Sequence, residues 1–291
     1  MDSVLVLTTG SRSRSITSWV VESLRDHGGG EPHWLSPGDA LEVDAFERVP
    51  EFLVGLRKQA IDAATVSIHN RRKRLLVADM DSTMIHQECI DELGVMAGVG
   101  ERIAAITAKA MRGELDFEGA LTERVGLLKG LPAGIIDTLI RDRITFMPGG
   151  TTLLATMKAN GAYTALISGG FTAFTAHVAK TLGFDEHRAN TLLMENGKLT
   201  GTVARPILGQ QAKVDGLKEL ARKHGLESSD CIAVGDGAND LAMLAEAGLG
   251  VALHAKPHVQ ESSLIRINHA DLTALLYLQG YRRTQFVAGA A

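Results

Sequence analysis

The stretch Leu75-Leu76-Val77-Ala78-Asp79-Met80-Asp81-Ser82-Thr83 decides the fold. Four apolar residues in succession, directly after the basic cluster Arg71-Arg72-Lys73-Arg74, predict a short strand buried on both faces, as in a parallel sheet covered by helices. Two carboxylates spaced two residues apart come where that strand runs out. Ligands of open α/β sheets bind beyond the carboxyl ends of the strands, so Asp79 and Asp81 stand where a site belongs. Two such acids repel each other unless a cation lies between them, and Mg2+, with its preference for hard oxygen ligands, suits the place. The plainer reading is that one Asp caps a following helix.

The same pattern continues downstream. Tyr163 to Ile167, Ile232 to Val234 and Gly250 to Leu253 read as further buried strands, alternating with amphipathic helices. One helix shows Phe171, Phe174, Val178 and Leu182 on a face and stops at Gly183; another runs from Ala212 to His224. Between them Asn196-Gly197 joins Thr191 to Met194 with Leu199 to Val203 as a tight hairpin. The fold class is α/β, a Rossmann-like parallel sheet core with helices on both faces. The first two strands are separated by roughly 85 residues, too many for one crossover helix, so an inserted small helical cap is expected over 88–145. Its helices break at Arg112-Gly113, and 71–87 with 146–291 remain as the core. Residues 1–70 read as a small N-terminal α+β domain. It has strand-like Val4 to Leu7, a helix around Trp19, Val20 and Leu24 stopped by Gly28-Gly29-Gly30, and short strands between Glu31 and Asp44. A helical pattern at Phe52, Leu53, Leu56 and Ala60 and a β run at Val66 and Ile68 complete it.

Three later segments fall at strand ends of the predicted sheet. Ser168-Gly169-Gly170, read at a helix start, offers a hydroxyl and backbone N–H groups to a phosphate, or is an ordinary N-cap with a turn. Lys213 opens a later helix and by itself is a surface lysine. Gly235-Asp236-Gly237-Ala238-Asn239-Asp240 brings two more carboxylates between glycines, or is an acidic turn.

In this order, Asp-x-Asp-x-Thr, Ser-Gly-Gly, Lys and Gly-Asp-Gly-x-x-Asp, the chain resembles the haloacid dehalogenase superfamily of phosphatases over roughly residues 75 to 270. The resemblance implies that Asp79 is a nucleophile forming an aspartyl-phosphate, while Asp81 protonates the leaving alkoxide and later deprotonates the attacking water. It implies phosphoryl oxygens bound by Ser168 and Gly169, and charge neutralised by Lys213. It further implies Mg2+ held by the Asp79 side chain, the Asp81 backbone carbonyl and the Asp236 carboxylate, with Asn239 and Asp240 in support and Asn239 also near substrate. Ion-pumping ATPases of the superfamily carry Thr at the position of Asp81, so Asp81 favours rapid hydrolysis.

Within the insertion, Ile106-Thr107-Ala108-Lys109-Ala110-Met111, Phe117 and Glu123-Arg124-Val125 resemble the cap of superfamily members that hydrolyse O-phospho-L-serine to L-serine in serine biosynthesis. The resemblance implies Glu88 for the substrate ammonium, Arg124 for its carboxylate, and Met111 and Phe117 on the apolar side of the pocket. Taken singly, Glu88 is a first-turn helix acid, Arg124 a solvated charge, and Met111 and Phe117 packing residues. A relative acting on another small phosphate ester, or passing the phosphoryl group to an alcohol, is one alternative. An amino-acid sensor with a vestigial core is another, against which the intact set Asp79, Asp81, Lys213 and Asp236 speaks. The N-terminal unit is similar to ACT-type modules, which bind amino acids or mediate dimerisation; it lacks a glycine-bearing ligand turn in the usual place, so effector binding, a homodimer and a structural role stay open.

Composition narrows the partners. Thirty Lys+Arg against 34 Asp+Glu, with 45% hydrophobic and 22% charged residues, describe an ordinary globular chain of about two domains. The slight negative charge argues against extended binding to nucleic acid or an anionic membrane and leaves a small-molecule substrate. Cys89 and Cys231, in no CxxC pairing, build neither a disulfide framework nor a thiol zinc site. The chain opens without a signal-peptide apolar region and holds no run of the ~20 apolar residues that span a membrane, so a cytoplasmic location is expected. A cysteine phosphatase needs Arg six positions after Cys, where this chain has Val95 and Gly237, and Asp240 spoils the third glycine of a dinucleotide fingerprint.

Overall fold

A computed structural model describes residues 2–10, 15–56, 59–111 and 114–289, with the Met111 side chain excluded. The N-terminal part runs β1 (Ser3–Thr9), α1 (Ser18–Asp26), β2 (His33–Ser36), β3 (Ala40–Asp44), α2 (Val49–Leu56) and β4 (Ile61–Ser67). Its sheet has the order β2-β3-β1-β4 with antiparallel neighbours, the β-α-β-β-α-β split arrangement. Ala60, read from spacing as helical, lies instead beyond α2 with φ of 49°. In β1 the side chains alternate between two apolar clusters. Leu5 and Leu7 pack with Val20, Leu24 and Phe52 of the two helices, whereas Val4 and Val6 pack with Ile265, Tyr277 and Leu278 from the rest of the chain.

The larger part continues with β5 (Leu75–Ala78), α3 (Cys89–Met96), α4 (Gly100–Met111), α5 (Phe117–Gly126), α6 (Ile135–Asp142), α7 (Gly150–Ala159), β6 (Tyr163–Phe171), α8 (Thr172–Leu182) and β7 (Glu186–Asn190). Then follow β8 (Leu192–Glu195), β9 (Lys198–Val203), α9 (Gln210–Lys223), β10 (Cys231–Gly235), α10 (Leu241–Glu246), β11 (Leu249–Leu253), α11 (Pro257–Ser262), β12 (Ile265–Ile267) and α12 (Ala274–Leu278). Six strands form one parallel sheet in the order β12-β11-β10-β5-β6-β7. Side-chain alternation sorts it into two cores. Leu76, Ala78, Ile232, Val234 and Val251 face one cluster with α7 and α8, and Leu75, Val77, Cys231, Ala233 and Ala252 face the other with α9 and α10. The expected parallel sheet with helices on both faces is the one observed.

Chain direction then places the site. From β5 the chain steps outward to β6 and β7, returns across the sheet to β10, and steps outward the other way, so the strand order reverses between β5 and β10. The crevice beyond the carboxyl ends of those two strands is the switch point where open sheets bind ligands. The long passage between β5 and β6 is α3 to α7, and Arg112 and Gly113, the expected helix break, lie outside the described residues. The hairpin β8–β9 turns at Asn196 and Gly197, both with positive φ, as its Asn-Gly pair predicts. Gly183 ends α8 in the left-handed region, also as expected.

The two parts meet along a polar seam. Asp62 of β4, buried, accepts three successive backbone N–H groups, from Asn268 at 2.7 Å, His269 at 2.9 Å and Ala270 at 2.7 Å. Arg71 pairs with Glu42 at 2.6 Å and donates to the carbonyls of Leu278 and Tyr277. Cys89 and Cys231 are free and buried. Among the described residues no helix is long and apolar enough to cross a membrane.

Candidate active site

Asp79 follows the last residue of β5, and its N–H donates to the Val234 carbonyl of β10 at 3.0 Å, which ties it across the switch point. Its carboxylate is buried. Lys213, in the first turn of α9 and 1% exposed, reaches to 2.8 Å from Asp79 Oδ1 and donates to Asp240 Oδ1 at 2.6 Å. This lysine is an internal cation, not a surface one. Burial pulls its pKa down, and Asp240 and Asp79 more than offset this, so the ammonium stays charged.

The Asp236 turn supplies the remaining acids. Asp236, directly after β10, takes Thr83 Oγ1 as a donor at 3.4 Å. Asp240 folds back to accept the Gly237 N–H at 2.9 Å. Burial first, and the neighbouring Asp79 next, push Asp236 up to about 7 and Asp240 up to about 6. One carboxylate oxygen from each of Asp79, Asp236 and Asp240 lies within 4.8 Å of the others. Asp79 Oδ1 is buried and faces the Lys213 ammonium at 2.8 Å. Three buried acids facing one ammonium are a donor set fitted to a hard divalent cation. The cluster includes the Asp240 side chain, to which the sequence assigned only support.

Asp81 points elsewhere. Its Oδ1 accepts the Cys89 N–H at the start of α3, at 3.3 Å, and burial followed by repulsion from Glu88 raises its pKa well above the usual carboxylate range. A carboxyl kept protonated in this way has a proton to give. Gly170 makes room for it, since a Cβ there would stand 2.9 Å from Asp81 Oδ2.

Ser168-Gly169-Gly170 departs from expectation. These residues do not open a helix: β6 continues through them to Phe171, and α8 starts at Thr172. The cause is the neighbouring strand, whose ladder resumes after a register shift and pairs Phe171 with Asn190. Ser168 Oγ accepts the Gly170 N–H at 2.9 Å, and the Asn190 side chain holds the loop by donating to the carbonyls of Gly169 and Leu208 while accepting the Leu208 N–H. Asn239 sits half-buried in the short turn between Gly237 and Asp240.

The helical insertion lies over this floor. Phe117, the first residue of α5, presses its ring onto the loop, because a Cβ on Gly169 would stand 2.9 Å from Phe117 Cζ and one on Gly209 3.1 Å from Phe117 Cδ1. Glu88 precedes α3 without capping it. Its Oε1 accepts Ser82 Oγ at 2.9 Å and lies 3.8 Å from Lys256 Nζ. Arg124 is half-buried, donates to the Ala120 carbonyl and Thr107 Oγ1, and lies within electrostatic reach of Asp91, Glu88 and Asp81. Met111 ends α4, and its side chain falls outside the described residues.

Four contributors escaped the sequence reading as site residues. Thr83 was part of the quoted motif without a role, and Ser82, at φ of 55°, shows no residue type that announces a left-handed turn. Asn190 and Lys256 stand in segments with no motif, so only the folded contacts reveal them.

Residues 76–245 match a family model described as haloacid dehalogenase-like hydrolase. Over 204 residues the chain is 50% identical to a phosphoserine phosphatase of Haemophilus influenzae, a match covering 70% of this chain and 65% of that protein, so it spans just under two thirds of that relative's length. A probable phosphoserine phosphatase from Vibrio cholerae, in unliganded form, has a similar structure with a TM-score of 0.81 and 34% identity, covering 98% of this chain and 88% of that one. A phospho-aspartyl intermediate analogue of a phosphoserine phosphatase is similar with a TM-score of 0.66 and 40% identity, covering 71% and 98%.

Proposed function

Because the chain belongs to the haloacid dehalogenase-like hydrolases, we propose that it is a Mg2+-dependent phosphomonoesterase hydrolysing O-phospho-L-serine to L-serine and phosphate. The observation that carries the reading is the buried pair Asp79 and Lys213, 2.8 Å apart at the switch point beside Asp236 and Asp240, under an insertion that brings Glu88 and Arg124.

In the first displacement a carboxylate oxygen of Asp79 attacks phosphorus, the bond from phosphorus to the seryl oxygen breaks, and Asp81 gives that oxygen its proton. In the second, Asp81 takes a proton from water, the water oxygen attacks phosphorus, and the bond to Asp79 breaks to release phosphate. Ser168 and Gly169 hold phosphoryl oxygens, and Lys213 balances charge on Asp79 and the phosphoryl group. Asp79, Asp236 and the Asp81 backbone carbonyl would hold Mg2+, supported by Asn239 and Asp240, and the ion when bound supplies charge neutralisation at the phosphoryl oxygens. Glu88 accepts the substrate ammonium, Arg124 forks onto its carboxylate, and Met111 and Phe117 close the apolar side. Residues 88–145 act as a cap that opens and closes over the core formed by 71–87 and 146–291, in a cytoplasmic enzyme.

Phosphate release from O-phospho-L-serine, phosphothreonine, phosphoethanolamine and glycerol phosphate, each with Mg2+ and with excess EDTA, tests the reading. Metal-dependent preference for phosphoserine is expected. Preference for an ester lacking the ammonium or the carboxylate would discard the substrate and keep the chemistry, and no turnover of any ester would discard both.

A further inference from the structure

Lys256 is a charge that neither the motifs nor the proposed reaction uses. Its backbone is anchored on both sides: its N–H donates to the Asp236 carbonyl at 3.3 Å, and its carbonyl accepts from Val259 and Gln260 of α11. Its side chain, 42% exposed, reaches over the site, with Nζ 3.8 Å from Asp236 Oδ2 and 3.8 Å from Glu88 Oε1. One ammonium thus stands between a carboxylate of the acidic cluster and the carboxylate proposed for the substrate ammonium. Both distances exceed a hydrogen bond, so the attraction is Coulombic and can be given up without breaking one. Lys213 contrasts with it, being enclosed and in close contact with Asp79 and Asp240.

We propose that Lys256 is a resident counter-cation, standing in by its charge for the divalent metal at Asp236 and for the substrate ammonium at Glu88, and yielding both places when they bind. For Glu88 this rests on the phosphoserine reading; for Asp236 it needs only the acidic cluster. The carboxyl groups of Asp79, Asp236 and Asp240 converge, with Glu88 and Asp81 in electrostatic reach, where Lys213 is the one fully buried cation among the described residues. Concentrating them without further positive charge is costly in a medium of low dielectric. A lysine at the rim relieves that cost, and its withdrawal is easy because its head already meets water. The consequence is a competition with opposite signs: Lys256 opposes cations that come to Asp236 and Glu88, and favours the arrival of an anion.

Calorimetric titration of the full chain with Mg2+ alone, and then with L-serine and with inorganic phosphate at saturating Mg2+, reads these signs for the wild type, Lys256→Met and Lys256→Arg. Lys256→Met is expected to bind Mg2+ and L-serine about three- to tenfold tighter and phosphate more weakly by about the same factor, with Lys256→Arg within about twofold of wild type. A packing role moves none of these in opposite directions. Mg2+ affinity unchanged or weakened in Lys256→Met, or Lys256→Arg behaving like Lys256→Met, overturns the proposal; Lys256→Gln replaces the Met variant should that one not fold. Tighter Mg2+ beside unchanged L-serine overturns the hold on Glu88. Wild-type protein that does not turn over O-phospho-L-serine sinks the substrate reading while the Mg2+ titration still decides the role at Asp236.

Discussion

Two sheets in this molecule are built around a central strand buried on both faces, β1 in the N-terminal part and β5 in the larger one, and their surroundings diverge at the strand ends. Val4 to Leu7 and Leu75 to Ala78 split their side chains between two apolar clusters in the same alternating way. The sheet of β1 is antiparallel, so its strand ends and loops are shared between both edges. The sheet of β5 is parallel, so every strand delivers its carboxyl end to one edge, where Asp79 and Asp236, just after β5 and β10, meet Ser168 in the later part of β6. Burial is common to the two sheets; strand direction gathers the chemistry.

This contrast can be broken by substitution. The largest effect is expected from Asp79→Asn, which removes the proposed nucleophile and should lower kcat for O-phospho-L-serine on the order of 10⁴-fold or more, as measured by phosphate release. Wild-type turnover by that protein would rule the assignment out. Lys213→Met leaves Asp79 and Asp240 buried without their shared cation and should cost about 3–5 kcal/mol of stability in urea unfolding without metal. Mg2+ should return part of that loss; a Lys213→Met protein as stable as wild type would mean that the acids are not held as a charged cluster.

At the seam, Asp62→Ala strands three N–H groups of residues 268–270, that of Ala270 buried and the other two partly so, and should cost about 2 kcal/mol, with kcat per folded molecule unchanged. A large fall in kcat there would show that the N-terminal sheet does take part in the chemistry. Arg124→Lys keeps the charge and loses the fork, so KM for phosphoserine should rise about tenfold with little change in kcat.

The smallest effect is thermal. Asp236, pushed up to about 7, and Asp240, up to about 6, hold protons in the folded state that the unfolded chain releases from the ordinary carboxylate range upward. The metal-free protein therefore loses stability as pH rises through that window. Mg2+ cancels the loss, so at a hundredfold excess over Kd it should raise Tm by about 5 °C near pH 8 and by less near pH 5. A gain in Tm that is the same at both pH values would count against metal binding by these carboxylates.

Much of the architecture was legible because it is written in local patterns. Leu75 to Ala78 has the apolar run of a two-faced strand, Asn196-Gly197 the residues of a tight turn, and Gly183 the left-handed stop of α8. What escaped depends on neighbours distant in the chain. The extension of β6 through Ser168-Gly169-Gly170 is imposed by its ladder with β7. Lys213 looks like any helix-surface lysine until α9 is laid against β6, and Asn190 becomes a strut for the Ser168 loop only because Leu208 passes beside it. Lys256 carries no motif, and its place between Asp236 and Glu88 comes from the turn after β11, which brings its N–H to the Asp236 carbonyl.

The reversal of strand order at β5 also bears on the order in which the protein is made. Asp79 and Ser168 leave the ribosome well before Asp236 and Asp240, and β10, to which the Asp79 N–H is tied through Val234, comes later than Lys213. A nascent chain that has not yet added residues 231–240 can hold the proposed nucleophile and phosphate loop but has no acidic turn to complete them. On the proposed mechanism the emerging polypeptide is chemically silent until residues 231–240 have been added, and the onset of activity during translation would report the insertion of one strand, β10, into the middle of the sheet.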